Sequence, residues 1–206
     1  MTRRSLALVK AFVALACLTP LLILVARIAG FGSLGANPIQ EVLHTLGKTG
    51  LNLLLLTLTI TPLRRLTGLN WLVALRRTLG LFVFGYILLH AVTYVVLDQG
   101  LAWSSLLVDV TQRPYITVGV TALLLLVPLA VTSTNAMQRR LGKRWVTLHR
   151  SIYVIAILGV VHFFWQVKVT TPEPLIYTFI LIVLLGFRAR NWLLVRQRRA
   201  PAVSRP

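Results

Sequence analysis

The chain has 206 residues, 57% of them hydrophobic and only 13% charged, with a mean hydropathy of +0.81. An ordinary soluble domain carries about 25% charged residues, and a soluble fold of this length could not hide so much apolar surface, so the bilayer is the natural solvent. The formal net charge of +18 does not indicate a nucleic-acid partner, because the cations fall between long apolar runs and at the tail, which is the layout of membrane topology signals.

Six apolar segments can be drawn, each near the length a bilayer demands. The first spans 8–29 and contains Pro20 and the one cysteine, Cys17. A single cysteine allows no intramolecular disulfide and no cysteine metal cluster, and Cys17 reads as a small buried hydrophobe. Arg3 and Arg4 before the apolar run resemble the start of a signal peptide, but apolar sequence continues through Leu21 to Ala26, so an uncleaved first span is expected. The second span covers 39–63, the third 78–97 and the fourth 114–132. The fifth covers 146–167. The sixth covers 174–194, with an uncharged core that ends at Phe187 and with Arg188 and Arg190 expected to snorkel. Between the third and fourth spans, Trp103, Leu106, Leu107 and Val110 stand at helical spacing, as in a helix lying on the membrane surface, and the segment around Trp71 reads the same way. No internal repeat is evident, and no Gly-rich phosphate loop is present.

The charges orient the bundle. With the N-terminus in the cytoplasm, 18 of the 22 lysines and arginines lie inside, and only Arg27, Lys48, Arg113 and Lys168 lie outside. The positive-inside rule then gives a single all-α domain over 1–206, a polytopic membrane helix bundle of six transmembrane helices with both termini cytoplasmic.

Four histidines are present: His44, His90, His149 and His162. An ionisable residue inside a span is costly and marks function. His90 lies 13 residues past Arg77, and His162 lies 13 residues past His149, on two spans that run in the same direction. At about 1.5 Å per residue each step is roughly 20 Å, so His90 and His162 stand at one depth, in the outer half. Two histidines on neighbouring helices at one depth can sandwich a haem iron. His149 lies deeper toward the cytoplasm, level with Arg76 and Arg77, where an arginine is available to a propionate or to the other side of a second iron. Thirteen residues is about 3.6 turns, so His149 and His162 do not share one face of an ideal helix, and spacing leaves the pairing open. Each histidine has the alternative role of a hydrogen-bonded packing residue between helices. Zinc is a poor rival, because no acidic or thiol ligand lies at matching depth. His44, near the outer end of the second span after Glu41, reads as an interface residue, with a haem neighbour or quinone contact as the alternatives.

The histidine pattern resembles the ferric-reductase-like transmembrane domain, the haem core of ferric reductases and NADPH oxidases. The closer resemblance, over most of residues 34–177, is to the haem-binding membrane subunits of bacterial protein-methionine-sulfoxide reductase systems. It rests on LGANPIQEVLHTLGKTG (34–50), TLTITPL (57–63), RRTLGLFVFGYILLHAVTY (76–94), RPYITVG (113–119), TSTNAMQRRLGKRWVTLHR (132–150) and HFFWQVKVTTPEPLIY (162–177). The resemblance implies one or two b-type haems, with His90, His149 and His162 as iron ligands, and it implies FMN. It also implies an electron-transfer subunit of a quinone-dependent oxidoreductase complex in the bacterial inner membrane. Electrons would pass from quinol to a periplasmic molybdopterin-containing methionine-sulfoxide reductase that repairs oxidised proteins. The chain departs from the wider superfamily in one place: Arg76 and Arg77 stand where a second histidine is usual in the third span, so an inner haem on His149 lacks its expected partner. The FAD and NADPH module of the superfamily has no counterpart in these residues, so electrons are expected from quinol or a separate reductase. The competing readings are a self-contained membrane ferric or quinone reductase, a histidine-relay transporter, which would hold no haem, and a structural anchor, which leaves the buried histidines unexplained.

Overall fold

The computed structural model of the chain describes residues 2–167 and 171–199. Lys168 and Arg205, counted above in the charge balance, lie outside the described residues, as do the side chains of Arg196, Arg198 and Arg199. The described chain is helical throughout, with no strand. Helix α1 covers Arg3–Ile28, α2 Pro38–Thr67, α3 Leu75–Thr93, α4 Trp103–Gln112, α5 Pro114–Val131, α6 Asn135–Leu141, α7 Lys143–His149, α8 Ile152–Gln166 and α9 Glu173–Arg199. A 3-10 turn at Asn70–Ala74 leads into α3, and a π-helical turn at Tyr94–Asp98 ends it.

Local sequence sets these boundaries. Asn37 caps α2 by accepting the Gln40 N–H at 3.2 Å, with Pro38 in the first turn where its missing N–H costs nothing. The same helix stops at Gly68, whose φ of +72° is a left-handed cap that a side chain would disfavour. Pro114 opens α5, and Thr134 caps α6 by accepting the Met137 N–H. Among the described residues six segments are long and apolar enough to cross a membrane: Arg3–Ile28, Pro38–Thr67, Asn70–Asp98, Pro114–Val131, Lys143–Gln166 and Glu173–Leu194. These are the six expected spans. The helices run beyond the apolar windows, since charged first and last turns are still helical. The fifth span is broken at Arg150 and Ser151 into α7 and α8. Six crossings return the chain to its starting side, here called the terminal end; the opposite side is the distal end.

Packing is centred on α2, α3, α5, α8 and α9. Leu54, Leu58, Val83, Leu126, Ile155 and Ala156 are among the buried residues at its heart. The closest pairings are α2 with α3 and α5 with α8. Small residues permit them, as expected where lipid leaves van der Waals fit to drive helix association: Ala156 is fully buried, and a Cβ on Gly50 would stand 2.6 Å from Ile87 Cδ1. Helix α1 lies at the edge, with Leu8, Phe12 and Leu22 exposed toward lipid. It is tied to the bundle through Tyr86. Leu21 N–H donates to the Tyr86 hydroxyl at 3.1 Å, and that hydroxyl donates to the Cys17 carbonyl at 2.7 Å. Tyr86 thus fastens α1 to the bundle beside Pro20 through two backbone groups one turn apart.

The segment expected to lie on the surface is α4, though its buried face differs from the expected one. Leu106 and Asp109 are buried, while Trp103 and Leu107 are 68% and 69% exposed. Asp109 turns inward because Tyr94 donates its hydroxyl to the carboxylate at 2.5 Å and Arg113 pairs with it at 3.0 Å. The segment around Trp71 is the short 3-10 turn, with Leu72 buried. All four acidic residues of the chain, Glu41, Asp98, Asp109 and Glu173, lie toward the distal end.

Candidate functional site: a bis-histidine cleft between two helix pairs

A cavity of about 360 Å³ opens between the α2–α3 pair and the α5–α8 pair, within the usual size of a cofactor pocket, about 300–1,000 Å³. Leu54, Val83, Leu126 and Ile155 form its floor, and Asn37, Gln40, His44, Lys48, Arg113 and Gln166 stand among its polar lining.

His90 from α3 and His162 from α8 face each other across this cavity. Their ring centroids are 6.2 Å apart and their planes cross at 84°. Each ring is fixed from behind. His90 Nδ1 donates to the Leu43 carbonyl of α2 at 2.9 Å, and His162 Nδ1 donates to the Tyr115 carbonyl of α5 at 2.7 Å. A carbonyl oxygen can only accept, so both Nδ1 atoms carry the proton and both Nε2 atoms keep a free lone pair. Anchoring the far ring nitrogen on a backbone carbonyl is the usual way a metal-binding histidine is aimed. The separation also fits. A metal–imidazole bond of about 2.0 Å, plus about 1.2 Å to the ring centre, puts two axial imidazoles about 6.4 Å apart, centre to centre.

Glycines let the rings come so close. A Cβ on Gly119 would stand 2.7 Å from His162 Nδ1, and one on Gly47 would stand 3.1 Å from His90 Nδ1. The cradle is therefore built twice in one register. Leu43, Gly47 and His90 recur as Tyr115, Gly119 and His162, each 72 residues further on. Of these three positions the glycine and the histidine are identical, and Thr45, Thr49, Leu51, Leu53, Leu54 and Leu69 also recur 72 residues further on. The two glycines and the two carbonyls were not singled out by sequence reasoning. The equal Gly-to-His spacing in both halves is the signal that could have found them.

The other sequence candidates are placed differently. His149, at the end of α7, stacks on Trp145 with centroids 3.9 Å apart. Thr132 gives its hydroxyl proton to the Pro128 carbonyl at 2.6 Å, so the 3.0 Å contact to His149 makes His149 Nε2 the donor. That nitrogen is committed, in contrast to those of His90 and His162. Arg77 donates to Asn135 Oδ1 at 2.5 Å and Gln138 Oε1 at 3.3 Å, and Arg76 donates to Thr61 Oγ1 at 2.7 Å. Among the described residues neither arginine hydrogen-bonds to His149. His44 sits at the mouth of the cavity, where Gln166 donates to its Nε2 at 3.1 Å. Two cations flank the same mouth, Lys48 paired with Glu173 at 2.7 Å and Arg113 paired with Asp109. The Tyr115 hydroxyl, and then the Asp109 carboxylate, hold the Arg113 guanidinium above its ordinary value, so it is a permanent cation. Among the described residues, no three His, Cys, Asp or Glu side chains converge as in a zinc site.

Six apolar helices closed around a pair of carbonyl-anchored histidines define a polytopic membrane protein with a two-histidine cleft. Residues 46–160 match the family described as ferric reductase like transmembrane component. Curated relatives extend the match over nearly the whole chain. The protein-methionine-sulfoxide reductase heme-binding subunit MsrQ of Rhodospirillum rubrum is 50% identical over 186 residues, covering 90% of this chain and 88% of the relative. The subunit of that name from Azospira oryzae is 49% identical, covering 91% and 81%, and that from Ralstonia nicotianae is 45% identical, covering 98% and 93%. The chain belongs to the MsrQ family, within the ferric-reductase-like transmembrane proteins.

Proposed function

We propose that this protein is the haem-binding membrane subunit of a protein-methionine-sulfoxide reductase system, and that it carries electrons across the bacterial inner membrane. The observation that carries the reading is the His90–His162 pair, 6.2 Å apart with each Nδ1 anchored on a backbone carbonyl. The two Nε2 atoms, left without hydrogen bonds among the described residues beside an apolar cleft, would hold the iron of a haem b. When bound, the haem supplies a one-electron carrier. The chain's own residues set its position and environment. Leu43 and Tyr115 fix the tautomer and aim of the two imidazoles, Gly47 and Gly119 admit them, and Leu54, Val83, Leu126 and Ile155 exclude water beneath. Lys48 and Arg113 line the mouth, each paired with an acidic side chain, Glu173 and Asp109.

In the proposed topology the terminal end, rich in arginine, is cytoplasmic, and the cleft opens toward the periplasm. Electrons enter from the quinone pool and leave at the distal end to a periplasmic molybdopterin-containing methionine-sulfoxide reductase, which repairs oxidised proteins. FMN belongs to the same proposal, without an assigned residue set. We assign the first haem to His90 and His162. A second haem on His149 requires that residue to exchange its Thr132 hydrogen bond for a metal bond.

The test is a reduced-minus-oxidised visible spectrum of the purified protein with haem quantitation. Replacement of His90 or His162 by alanine should abolish the low-spin haem signal. A colourless protein after expression with ample haem, or full haem content in both variants, would refute the reading. Turnover that needs no periplasmic molybdoenzyme would favour a self-contained reductase instead.

A further inference from the structure

A second polar site lies away from the cleft, toward the terminal end, and none of the chain's four acidic residues reaches it. Arg188 of α9 points into the bundle rather than out to lipid. It donates to the Leu58 carbonyl at 2.9 Å, to Thr61 Oγ1 at 2.8 Å and to the Tyr153 hydroxyl, and its guanidinium carbon stands 4.7 Å from the Tyr153 ring centre. The snorkelling expected from the sequence does not occur at Arg188, whereas Arg190 is exposed. Arg76 of α3 donates to the same Thr61 oxygen at 2.7 Å. Two guanidiniums therefore share one hydroxyl oxygen inside a membrane span. Arg64, three residues past Thr61 on α2, adds a third positive charge beside Arg76.

Charges this close repel, and a neutral hydroxyl, a carbonyl and a phenol do not compensate them. The counter-charge does not come from the acidic side chains of this chain, because Glu41, Asp98, Asp109 and Glu173 all lie toward the distal end, the first, third and fourth already paired with Arg27, Arg113 and Lys48. One further observation points to a missing ligand. Arg188 Nε is buried and has no hydrogen-bond partner, and it is the one such side-chain nitrogen or oxygen among the described residues. A buried N–H left unpaired is costly, and an unseen anion or water is its usual explanation.

We propose that Arg76 and Arg188, with Thr61 and Tyr153, form a binding site for a phosphate or carboxylate oxyanion among α2, α3, α8 and α9. A planar guanidinium suits bidentate contact with such a group, and two of them suit a doubly charged phosphate. The oxyanion can arrive on a soluble phosphate compound or on an acidic lipid headgroup. The contacts behind this inference are separate from those behind the haem reading.

The experiment uses the full-length haem-loaded protein in phosphate-free detergent. Thermal unfolding is followed while inorganic phosphate, or phosphatidylglycerol against phosphatidylcholine, is titrated in, with the haem spectrum recorded in parallel. Phosphate or phosphatidylglycerol should raise the unfolding midpoint saturably. Arg188→Gln and Arg76→Gln should each weaken that response at least tenfold with haem content unchanged. Arg140→Gln, an exposed cation of the same end, should leave it within twofold. A response to both probes assigns a phosphate site open to solvent, and a response to phosphatidylglycerol alone assigns the headgroup. No saturable response to either probe overturns the proposal. So does an equal loss in Arg140→Gln, which would mean diffuse attraction to a basic face. Loss of haem in both Arg76→Gln and Arg188→Gln also overturns it, because the arginines would then serve the haem's own carboxylates. Should Arg188→Gln fail to fold, Arg76→Gln, which loses a single contact, decides alone.

Discussion

Alanine at Gly119 should strengthen the helix and weaken the cofactor site, and the opposition of those signs makes it a sharp test. The added Cβ would lie 2.7 Å from His162 Nδ1 and 2.9 Å from Cε1, closer than such contacts allow. The ring cannot yield freely, because its Nδ1 is bonded to the Tyr115 carbonyl at 2.7 Å in the same direction. Either that hydrogen bond, worth about 1 kcal/mol, is stretched, or α5 moves away from α8. Both outcomes displace the His162 ring relative to His90. Loss of such an anchoring contact typically costs about 10–100-fold in metal affinity. Meanwhile alanine for glycine inside a helix contributes about 1 kcal/mol of stability. Gly119→Ala should therefore bind haem about 10–100-fold more weakly, while the haem-free protein melts no lower than wild type. Gly47→Ala, whose Cβ would stand 3.1 Å from His90 Nδ1, should lose much less. Gly80→Ala and Gly186→Ala, where a Cβ meets nothing within 4 Å, should lose nothing. The assay is titration of haem into haem-depleted protein, read at the Soret band, beside thermal unfolding in detergent. Equal affinities for Gly119→Ala and Gly80→Ala would refute the cradle as described.

Other outcomes follow from the same contacts. The two ring planes cross at 84°, so the ferric protein should show the highly anisotropic low-spin resonance of crossed axial imidazoles; a rhombic spectrum typical of parallel rings would contradict the pairing. His149→Ala should leave that signal intact, since His149 Nε2 is bonded to Thr132 outside the cleft; loss of the crossed-imidazole signal would place His149 on the first iron. Tyr86→Phe should destabilise the protein by about 1–3 kcal/mol, because Leu21 N–H and the Cys17 carbonyl lose their bridge in a lipid-facing helix. Its melting temperature should fall while its haem spectrum stays unchanged, and an unchanged melting temperature would count against the bridge. Asp109→Asn should free α4 from Tyr94 and Arg113, read as faster amide exchange at 103–112 with the core unaffected; unchanged exchange would mean that Leu106 alone holds the helix.

The sequence carried the six spans because a bilayer imposes a length and a composition, and both are visible residue by residue. It also carried the depth match of His90 and His162, since helical rise converts spacing into height. What it did not carry was azimuth. Whether His149 faces the same cleft depends on the break at Arg150 and Ser151 and on the Thr132 bond, and neither follows from a count of residues. Arg188 was misplaced for a related reason. Near the end of an apolar run an arginine is expected to snorkel, but the Leu58 carbonyl, Thr61 and Tyr153 offer it three acceptors inside the bundle.

The doubled cradle shows why composition misses a repeat that geometry enforces. A buried imidazole must be held by something that accepts a proton and does not move. A backbone carbonyl on the neighbouring helix meets that need with any side chain attached, so Leu43 and Tyr115 serve equally. What is constrained is the residue one turn on, where a Cβ would crowd the ring, and the histidine at a fixed distance beyond it. Eight identities scattered over 48 residues make a weak match, yet two of them, the glycine and the histidine, decide where both ring nitrogens point. Residues that act through absence, such as Gly47 and Gly119, or through the main chain, such as Leu43 and Tyr115, are therefore found by asking what each functional side chain leans on. Applied to Arg188, the same question ends at a buried Nε with nothing to lean on, and the proposed oxyanion is the answer that the chemistry of a guanidinium supplies.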